Sequence, residues 1–162
     1  MSRSAPYRVL FLCTGNSARS QMAEAVLNYR GEGRFLAGSA GSHPAERVNP
    51  LAIDVLNEAG LAWRGHPPRG LDGVEREPWD LVITVCDQAR ESCPLFPGGP
   101  LQAHWGMPDP AAVDGSEAER RAAFSGALGM IIRRIDLLLQ LPVEQLTPPE
   151  LAARVGAIGQ VR

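Results

Sequence analysis

The sequence contains no lysine, so all sixteen basic side chains among its 162 residues are arginines. Without lysine, the protein cannot form a Schiff base with a carbonyl substrate or use an amine as a general base. Asp and Glu together number 18, which gives a formal net charge of −2. The lack of a basic surplus argues against a nucleic-acid-binding protein and against attachment to an anionic membrane.

Long hydrophobic segments are also lacking. The most apolar stretch, residues 127–141, contains Arg133, Arg134 and Asp136, so it is not expected to span a membrane. Residues 1–6 have no apolar core like that of a signal peptide. We therefore expect a cytoplasmic protein, and because nothing in the sequence indicates an oligomer, we expect a monomer.

Cysteine is scarce, with three residues at positions 13, 86 and 93. Thiols of cytoplasmic proteins are kept reduced, so these cysteines favour catalysis or redox chemistry over structural disulfides. The three histidines have no metal-ligand spacing with one another or with the cysteines. The histidine and cysteine pattern therefore predicts no metal site.

Strand-like and helix-like segments alternate along the chain, which predicts one α/β domain spanning residues 1–162. The predicted strands are residues 7–12, 34–38, 80–85 and 101–105. The predicted helices are residues 21–29, 51–58, 116–140 and a short one from 147. This alternation predicts a three-layer sandwich, in which a central four-stranded parallel sheet is flanked by helices. Residues 7–141 are the expected core, and the chain from Gly156 onward is expected to be a loose tail.

The most informative segment is 13–20, Cys-Thr-Gly-Asn-Ser-Ala-Arg-Ser, between the first predicted strand and the first predicted helix. A loop that leads into a helix presents unpaired N–H groups and the positive end of the helix dipole, so it attracts an oxyanion. The helix start, Arg19 and a nearby hydroxyl would favour a nucleophilic Cys13 thiolate. Arg19 could grip two oxygens of the anion. The alternative is a buried structural cysteine followed by a solvated arginine.

The remaining residues of this segment are predicted to line the oxyanion site: Thr14, Gly15, Asn16, Ser17, Ala18 and Ser20. Gly15 and Asn16 tolerate unusual loop geometry. Ser20, with Ser17 as a second candidate, could donate to the Cys13 thiolate. Ser20 could equally be a polar residue of the helix start, and one hydroxyl can serve in both ways.

A second cysteine follows a second predicted strand. Cys86 comes directly after the strand at 80–85, just as Cys13 follows the first strand. The carboxyl ends of parallel strands meet at one edge of a sheet, where ligands bind, so both thiols are expected at that edge. Cys93 lies seven residues further on. Two unrelated buried cysteines are the alternative.

Segment 13–20 resembles the anion loop shared by low-molecular-weight protein tyrosine phosphatases and the arsenate reductases built on the same fold. Both groups carry an acidic residue in an Asp-Pro pair far downstream, which Asp109-Pro110 matches. Phosphatases typically have tyrosine after this pair, whereas Ala111 follows here, within a segment that resembles the reductases. Cys86 and Cys93 are similar to the redox pair of thioredoxin-coupled arsenate reductases.

The resemblance implies an arsenate reductase that works by a relay of three thiols. Cys13 would attack the arsenic of bound arsenate, and Asp109 would protonate the departing oxygen. Cys86 would then attack the Cys13 sulfur and release arsenite. Cys93 would attack Cys86, and thioredoxin would reduce the resulting disulfide. Asp109 could instead serve only as a turn or helix-cap residue.

Other expectations concern what binds to the protein. No cofactor is expected to be bound, and phosphate or sulfate would compete with arsenate. Some relatives bind a potassium ion through an asparagine and a glutamate that match Asn16 and Glu24, although Glu24 could be an ordinary solvated carboxylate. The alternative enzyme is a low-molecular-weight protein tyrosine phosphatase. A non-catalytic oxyanion or thiol sensor is a third hypothesis, and glutathione or mycothiol are alternative electron donors.

Overall fold

A computed structural model describes residues 5–86 and 99–162 of the chain. The strands are β1 (Tyr7–Cys13), β2 (Phe35–Gly41), β3 (Leu81–Thr84) and β4 (Leu101–His104). The helices of the described residues are α1 (Arg19–Arg30), α2 (Pro50–Glu58), α3 (Glu117–Leu139) and α4 (Pro148–Ile158). Three short 3₁₀ turns lie at Val74–Arg76, Pro110–Ala112 and Val143–Gln145. Each predicted strand and helix has its counterpart here.

The strands form one parallel sheet in the order β2-β1-β3-β4. β1 lies between two neighbours, and Val9 pairs with Ala37 on one side and with Leu81 on the other. Because such a strand is covered on both faces, it is apolar without alternation, and its residues from Val9 to Cys13 are all buried. The predicted α/β fold with a four-stranded parallel sheet and flanking helices is confirmed.

Helix starts follow the sequence signals closely. Asn49 caps α2, since its side chain accepts a hydrogen bond from the Leu51 N–H at 2.9 Å. Capping boxes begin α3, with Ser116 and Glu119, and α4, where the cap is Thr147. None of the helices in the described parts of the chain has the length and apolar character that crossing a membrane requires.

β2 is longer than predicted and continues through Gly-Ser-Ala-Gly to Gly41. Glycine is a poor strand residue, but two positions here leave no room for a side chain. A Cβ at Gly38 would lie 2.6 Å from the Trp79 ring, and one at Gly41 would lie 2.4 Å from the Thr14 carbonyl oxygen. Close packing therefore explains the glycines, and the pairing with β1 sustains the strand.

The prediction of a loose tail from Gly156 is wrong. α4 continues to Ile158, and both Val155 and Ile158 are buried. The Trp105 indole donates to the Val155 carbonyl at 2.8 Å, and Arg134 Nε donates to the Val161 carbonyl at 3.0 Å. The groups that hold this segment lie 27 to 50 residues away in sequence, so its local composition carried no sign of them.

Candidate active site

The side chain of Cys13, the last residue of β1, is surrounded by hydrogen-bond donors. Its Sγ lies 2.8 Å from Ser20 Oγ, and the Asn16 backbone N–H donates to it at 3.2 Å. Ser20 Oγ already accepts a hydrogen bond from Asn16 Nδ2 at 2.8 Å, so its own hydroxyl hydrogen is available to point at the sulfur. Two donors directed at one sulfur stabilise a thiolate. We call residues 13–20 the nucleophile loop.

Asn16 occupies the centre of the nucleophile loop. Its φ is 50°, in the left-handed region that asparagine tolerates, and it is fully buried. Its amide nitrogen also donates to Ser39 Oγ at 2.9 Å, while its side-chain oxygen accepts from the Arg69 backbone N–H at 3.0 Å. Gln21 donates to the Asn16 backbone carbonyl at 3.2 Å. One side chain thus ties the loop to two other segments.

The carbonyls of the nucleophile loop are held by the segment that follows β2. The carbonyls of Thr14, Gly15 and Ser17 accept from backbone N–H groups of residues 43, 45 and 49 at 2.8–2.9 Å. In a trans peptide the C=O and the following N–H point in opposite directions, and no peptide here is cis. The N–H groups of residues 15, 16 and 18 therefore point away from that segment, and that of Asn16 reaches Cys13. This arrangement forms an anion cradle.

The N terminus of α1 completes the cradle. Its N-cap residue is Ala18, whose side chain cannot accept a hydrogen bond, and its first turn contains no acidic residue. The first N–H groups of the helix are therefore not used by a side-chain cap, and the dipole favours negative charge there. These features suit a bound oxyanion.

Arg19 links the nucleophile loop to the segment of Asp109. Its Nη1 donates to the Met107 carbonyl at 3.0 Å, and its Nη2 lies 3.8 Å from Asp109 Oδ2. The Arg19 side chain is 12% exposed and that of Asp109 is 44% exposed. The arginine is thus oriented within the site, while the carboxyl group lies at its solvent side. We call residues 105–112 the acid loop.

Asp109 combines both interpretations that the sequence allows. Its Oδ1 accepts from the Ala111 N–H at 2.9 Å and so caps the 3₁₀ turn Pro110–Ala112. Its other oxygen faces Arg19. The Asp109 carboxylate thus caps the turn and also lies beside Arg19, the candidate ligand of the anion. This is where a general acid would be needed.

Cys86 reaches the same edge of the sheet as Cys13. It follows Val85, whose N–H donates to the Leu12 carbonyl at 2.9 Å, and it is buried. Its Sγ lies 3.3 Å from Thr14 Oγ1 in the nucleophile loop. Both cysteines are thiols in this structure. Cys93 lies outside the described residues.

Next to the nucleophile loop lies the carboxylate of Glu24, which is buried rather than solvated. Glu24 Oε1 accepts from Ser39 Oγ at 3.0 Å and lies 2.9 Å from His66 Nε2. This hydrogen bond to Glu24 raises the pKa of His66 above its usual value of 6.5, although partial burial opposes the rise. When His66 is protonated, its imidazolium forms an ion pair with the Glu24 carboxylate. Sequence reasoning missed Ser39, His66 and Arg69 because no spacing rule relates them to Cys13.

The predicted potassium site at Asn16 and Glu24 does not fit this arrangement. Asn16 turns its NH₂ group toward Ser39, and its oxygen accepts from the Arg69 N–H. The Glu24 carboxylate already lies 2.9 Å from His66 Nε2. A shared ion would need oxygens from both residues. In residues 5–86 and 99–162, no group of three or more His, Cys, Asp or Glu residues could hold a metal ion.

Known proteins resemble this chain closely. Residues 8–147 match the family described as low molecular weight phosphotyrosine protein phosphatase. Arsenate reductase 2 of Staphylococcus epidermidis is 38% identical over 117 residues, which cover 69% of this chain and 85% of that protein.

Solved structures extend the likeness to the fold. The crystal structure of the arsenate reductase from Archaeoglobus fulgidus gives a TM-score of 0.61 at 34% identity, covering 79% of this chain and 98% of that one. A thioredoxin-dependent arsenate reductase of Corynebacterium glutamicum gives 0.59 at 28% identity, covering 83% and 64% respectively. These likenesses confirm the resemblance carried by segment 13–20.

Proposed function

The chain belongs to the low molecular weight phosphotyrosine protein phosphatase family, and from that premise we propose that it reduces arsenate to arsenite. Cys13 is the nucleophile, Cys86 and Cys93 are the redox pair, and thioredoxin supplies the electrons. Arsenate reductases among the relatives support the reaction, and the thioredoxin-dependent Corynebacterium glutamicum protein supports the electron donor.

The observation that carries this proposal is the position of Cys86. Its Sγ lies 3.3 Å from Thr14 Oγ1, within the same loop as the nucleophile. Hydrolysis of a phosphate ester needs one thiolate, whereas reduction of arsenate needs two electrons, which a pair of thiols supplies when it forms a disulfide. A second buried thiol at the anion cradle is therefore the feature that favours reduction over hydrolysis.

In the first step the N–H groups of the cradle and Arg19 bind arsenate. The Cys13 thiolate attacks arsenic and forms a sulfur–arsenic bond. A hydroxyl group of arsenate leaves as water after taking a proton from Asp109. The Ser20 hydroxyl and the Asn16 N–H hold the attacking sulfur in place.

In the second step Cys86 attacks the Cys13 sulfur. The sulfur–arsenic bond breaks and its electron pair stays on arsenic, so As(V) becomes As(III) and leaves as arsenite. The two thiols are oxidised to a Cys13–Cys86 disulfide. Cys93 then attacks Cys86, which releases the Cys13 thiolate and forms a Cys86–Cys93 disulfide. The dithiol of thioredoxin reduces this disulfide and closes the cycle.

The test is a coupled assay with arsenate, thioredoxin, thioredoxin reductase and NADPH. We expect NADPH oxidation that depends on arsenate, and its absence would contradict the proposal. Cys93→Ser should produce one equivalent of arsenite per protein and then stop, whereas Cys86→Ser should produce none. Undiminished turnover by Cys93→Ser would contradict the three-thiol relay and favour a route that uses glutathione or mycothiol.

A second candidate is hydrolysis of phosphate monoesters by the same cradle. The observation that favours it is the position of Asp109 beside Arg19, at 3.8 Å, because a phosphatase also needs an acid next to its anion ligand. Cys86→Ser keeps Cys13, Arg19 and Asp109. If wild-type protein and this variant hydrolyse p-nitrophenyl phosphate equally while neither oxidises NADPH with arsenate, the phosphatase assignment replaces the reductase assignment.

A further inference from the structure

Arg134 is a buried arginine in the C-terminal half of α3, 3% exposed. Its guanidinium donates to four backbone carbonyls. Nη1 donates to Trp105 at 3.0 Å and Gly106 at 3.2 Å. Nε and Nη2 donate to Val161 and Gly159 at 3.0 and 3.1 Å. Burial lowers the pKa of Arg134 from its usual value.

Burying the Arg134 cation costs free energy of folding, so its hydrogen bonds are expected to have a role. Burying a charge costs free energy, and neutral carbonyls compensate it less well than a carboxylate does. The neighbouring inward positions of α3 are Ile131, Ile135 and Leu138, which shows that an apolar residue suits this face. The distinguishing property of Arg134 is that it joins two separate segments of backbone.

The first of these segments leads directly into the site. Trp105 and Gly106, which accept from Arg134, immediately precede Met107. The Met107 carbonyl accepts from Arg19 Nη1 at 3.0 Å, and Asp109 follows two residues later. A displacement of the acid loop at Trp105 would therefore shift both Arg19, the candidate anion ligand, and Asp109, the candidate acid.

The second segment is the C-terminal one, which lies beyond the family match at residues 8–147. Trp105 donates to the Val155 carbonyl at 2.8 Å. Gly159 approaches β4 so closely that a Cβ there would lie 2.3 Å from the His104 carbonyl oxygen. The end of α4 thus contacts the last residue of β4 directly, at the point where the acid loop begins.

We infer that Arg134 is a positioning residue, and that it fixes the acid loop against the C-terminal segment 155–161 so that Met107 orients Arg19 toward the bound oxyanion. The consequence for arsenate turnover rests on the proposed function. The consequence for anion binding does not, because it concerns only the cradle and Arg19.

The test measures how well inorganic phosphate protects Cys13 from iodoacetamide, in protein that carries Cys86→Ser and Cys93→Ser so that one thiol remains. Arg134→Gln is expected to weaken protection by phosphate about tenfold, since small displacements of a positioning group are costly. The alkylation rate without phosphate should stay unchanged, because Ser20 and Asn16 hold the sulfur. Arg134→Lys should fall between wild type and Arg134→Gln.

Two further variants separate positioning from folding. Gly159→Ala leaves Arg134 intact but places a methyl group against His104, so it should weaken phosphate protection in the same way. Arg154→Gln removes an exposed arginine from α4 and should change nothing. Thermal unfolding of each variant identifies those that fold, and Arg134→Lys keeps the test valid if Arg134→Gln does not.

The outcomes distinguish the two proposals. Phosphate protection of Arg134→Gln and Arg134→Lys equal to that of Arg154→Gln would overturn the positioning role, even if their unfolding temperatures fall. Weakened protection together with a wild-type protein that reduces no arsenate would support the positioning role and overturn the proposed function. A wild-type Cys13 that phosphate does not protect at all would overturn the positioning role as well.

Discussion

The nucleophile loop and the acid loop lie against each other but are held in different ways. In the nucleophile loop Cys13, Asn16, Ala18 and Ser20 are buried. The Asn16 side chain bonds to Ser20, Ser39 and the Arg69 backbone. In the acid loop Asp109 is 44% exposed, accepts a hydrogen bond from the Ala111 N–H and lies 3.8 Å from Arg19 Nη2. The loop that carries the proposed nucleophile is thus held by buried side-chain hydrogen bonds, whereas the loop that carries the proposed acid is held through the backbone carbonyls of residues 105–107.

This contrast follows from what each loop does. A thiolate and an anion cradle gain from preorganisation, because dipoles fixed in advance need no rearrangement during reaction. A general acid must exchange its proton with solvent in every cycle, so partial exposure suits it. Substitutions in the nucleophile loop should therefore change stability and reactivity together, whereas substitution of the exposed Asp109 should change turnover alone.

The largest effect is expected for Asn16→Ala, which removes the side chain that ties the nucleophile loop together. Its loss removes one buried hydrogen bond each from Ser20, Ser39 and the Arg69 N–H, so the free energy of unfolding should fall by about 3 kcal/mol. Alkylation of Cys13 should slow at least tenfold, since Ser20 loses its orientation. Urea denaturation and iodoacetamide kinetics measure the two effects.

Asn28→Ala provides the matched control for Asn16→Ala. Asn28 also exchanges two hydrogen bonds with backbone, both to Ala37 at 2.8 and 3.1 Å, but away from Cys13. It should lower the stability and leave the alkylation rate unchanged. Equal slowing of alkylation in both variants would show that Asn16 has no specific role in holding the nucleophile loop.

Asp109→Asn should lower arsenate turnover about 10²-fold, because general acids contribute at least that much. The unfolding temperature and the alkylation rate of Cys13 should stay close to wild type, since the amide can still cap Ala111. Asp114→Asn, an exposed change four residues after the 3₁₀ turn begins, serves as control. A large loss of stability in Asp109→Asn would remove the distinction between the two loops.

Gly41→Ala tests the close packing of β2 against the nucleophile loop. A Cβ there would lie 2.4 Å from the Thr14 carbonyl oxygen and 2.9 Å from the Asn16 nitrogen, so the loop must shift, at a cost of about 1–3 kcal/mol. Phosphate should then protect Cys13 less well. Gly126→Ala, where a Cβ meets nothing within 4 Å, should stabilise α3 slightly, by about 0.5–1 kcal/mol. Chemical denaturation compares the two.

The smallest effect concerns pH. The pKa of His66 is raised in the folded state by its hydrogen bond to Glu24, and partial burial and the charge of Arg69 oppose this rise. The pair therefore contributes stability that is fully present below about pH 6.5 and is lost as the pH rises through the raised value. The stability difference between wild type and His66→Gln should shrink from pH 6 to pH 9. His43→Gln, at an exposed histidine, should show no such trend.

Sequence reasoning succeeded where the determining residues are neighbours in the chain. The loop from Cys13 to Ser20 and the caps at Asn49, Ser116 and Thr147 act within a few residues. They could be predicted because backbone N–H groups at a helix start impose the same requirement in every protein.

Sequence reasoning failed where a group depends on a distant partner. Asn16 meets Ser39 and Arg69 across 23 and 53 residues, and Arg134 meets Trp105 across 29. No periodicity relates such positions, because the sheet and helix packing bring them together only after folding. The tail beyond Gly156 was mispredicted for this reason.

The position of Cys13 at the end of β1 determines which thiol would have to move in the proposed relay. β1 is hydrogen-bonded along both edges, to β2 and β3, so Cys13 can change place only if the sheet opens. Cys86 lies one residue beyond Val85, whose N–H makes the last bond to β1. In the proposed relay, a Cys13–Cys86 disulfide would therefore form by displacement of Cys86 rather than of Cys13.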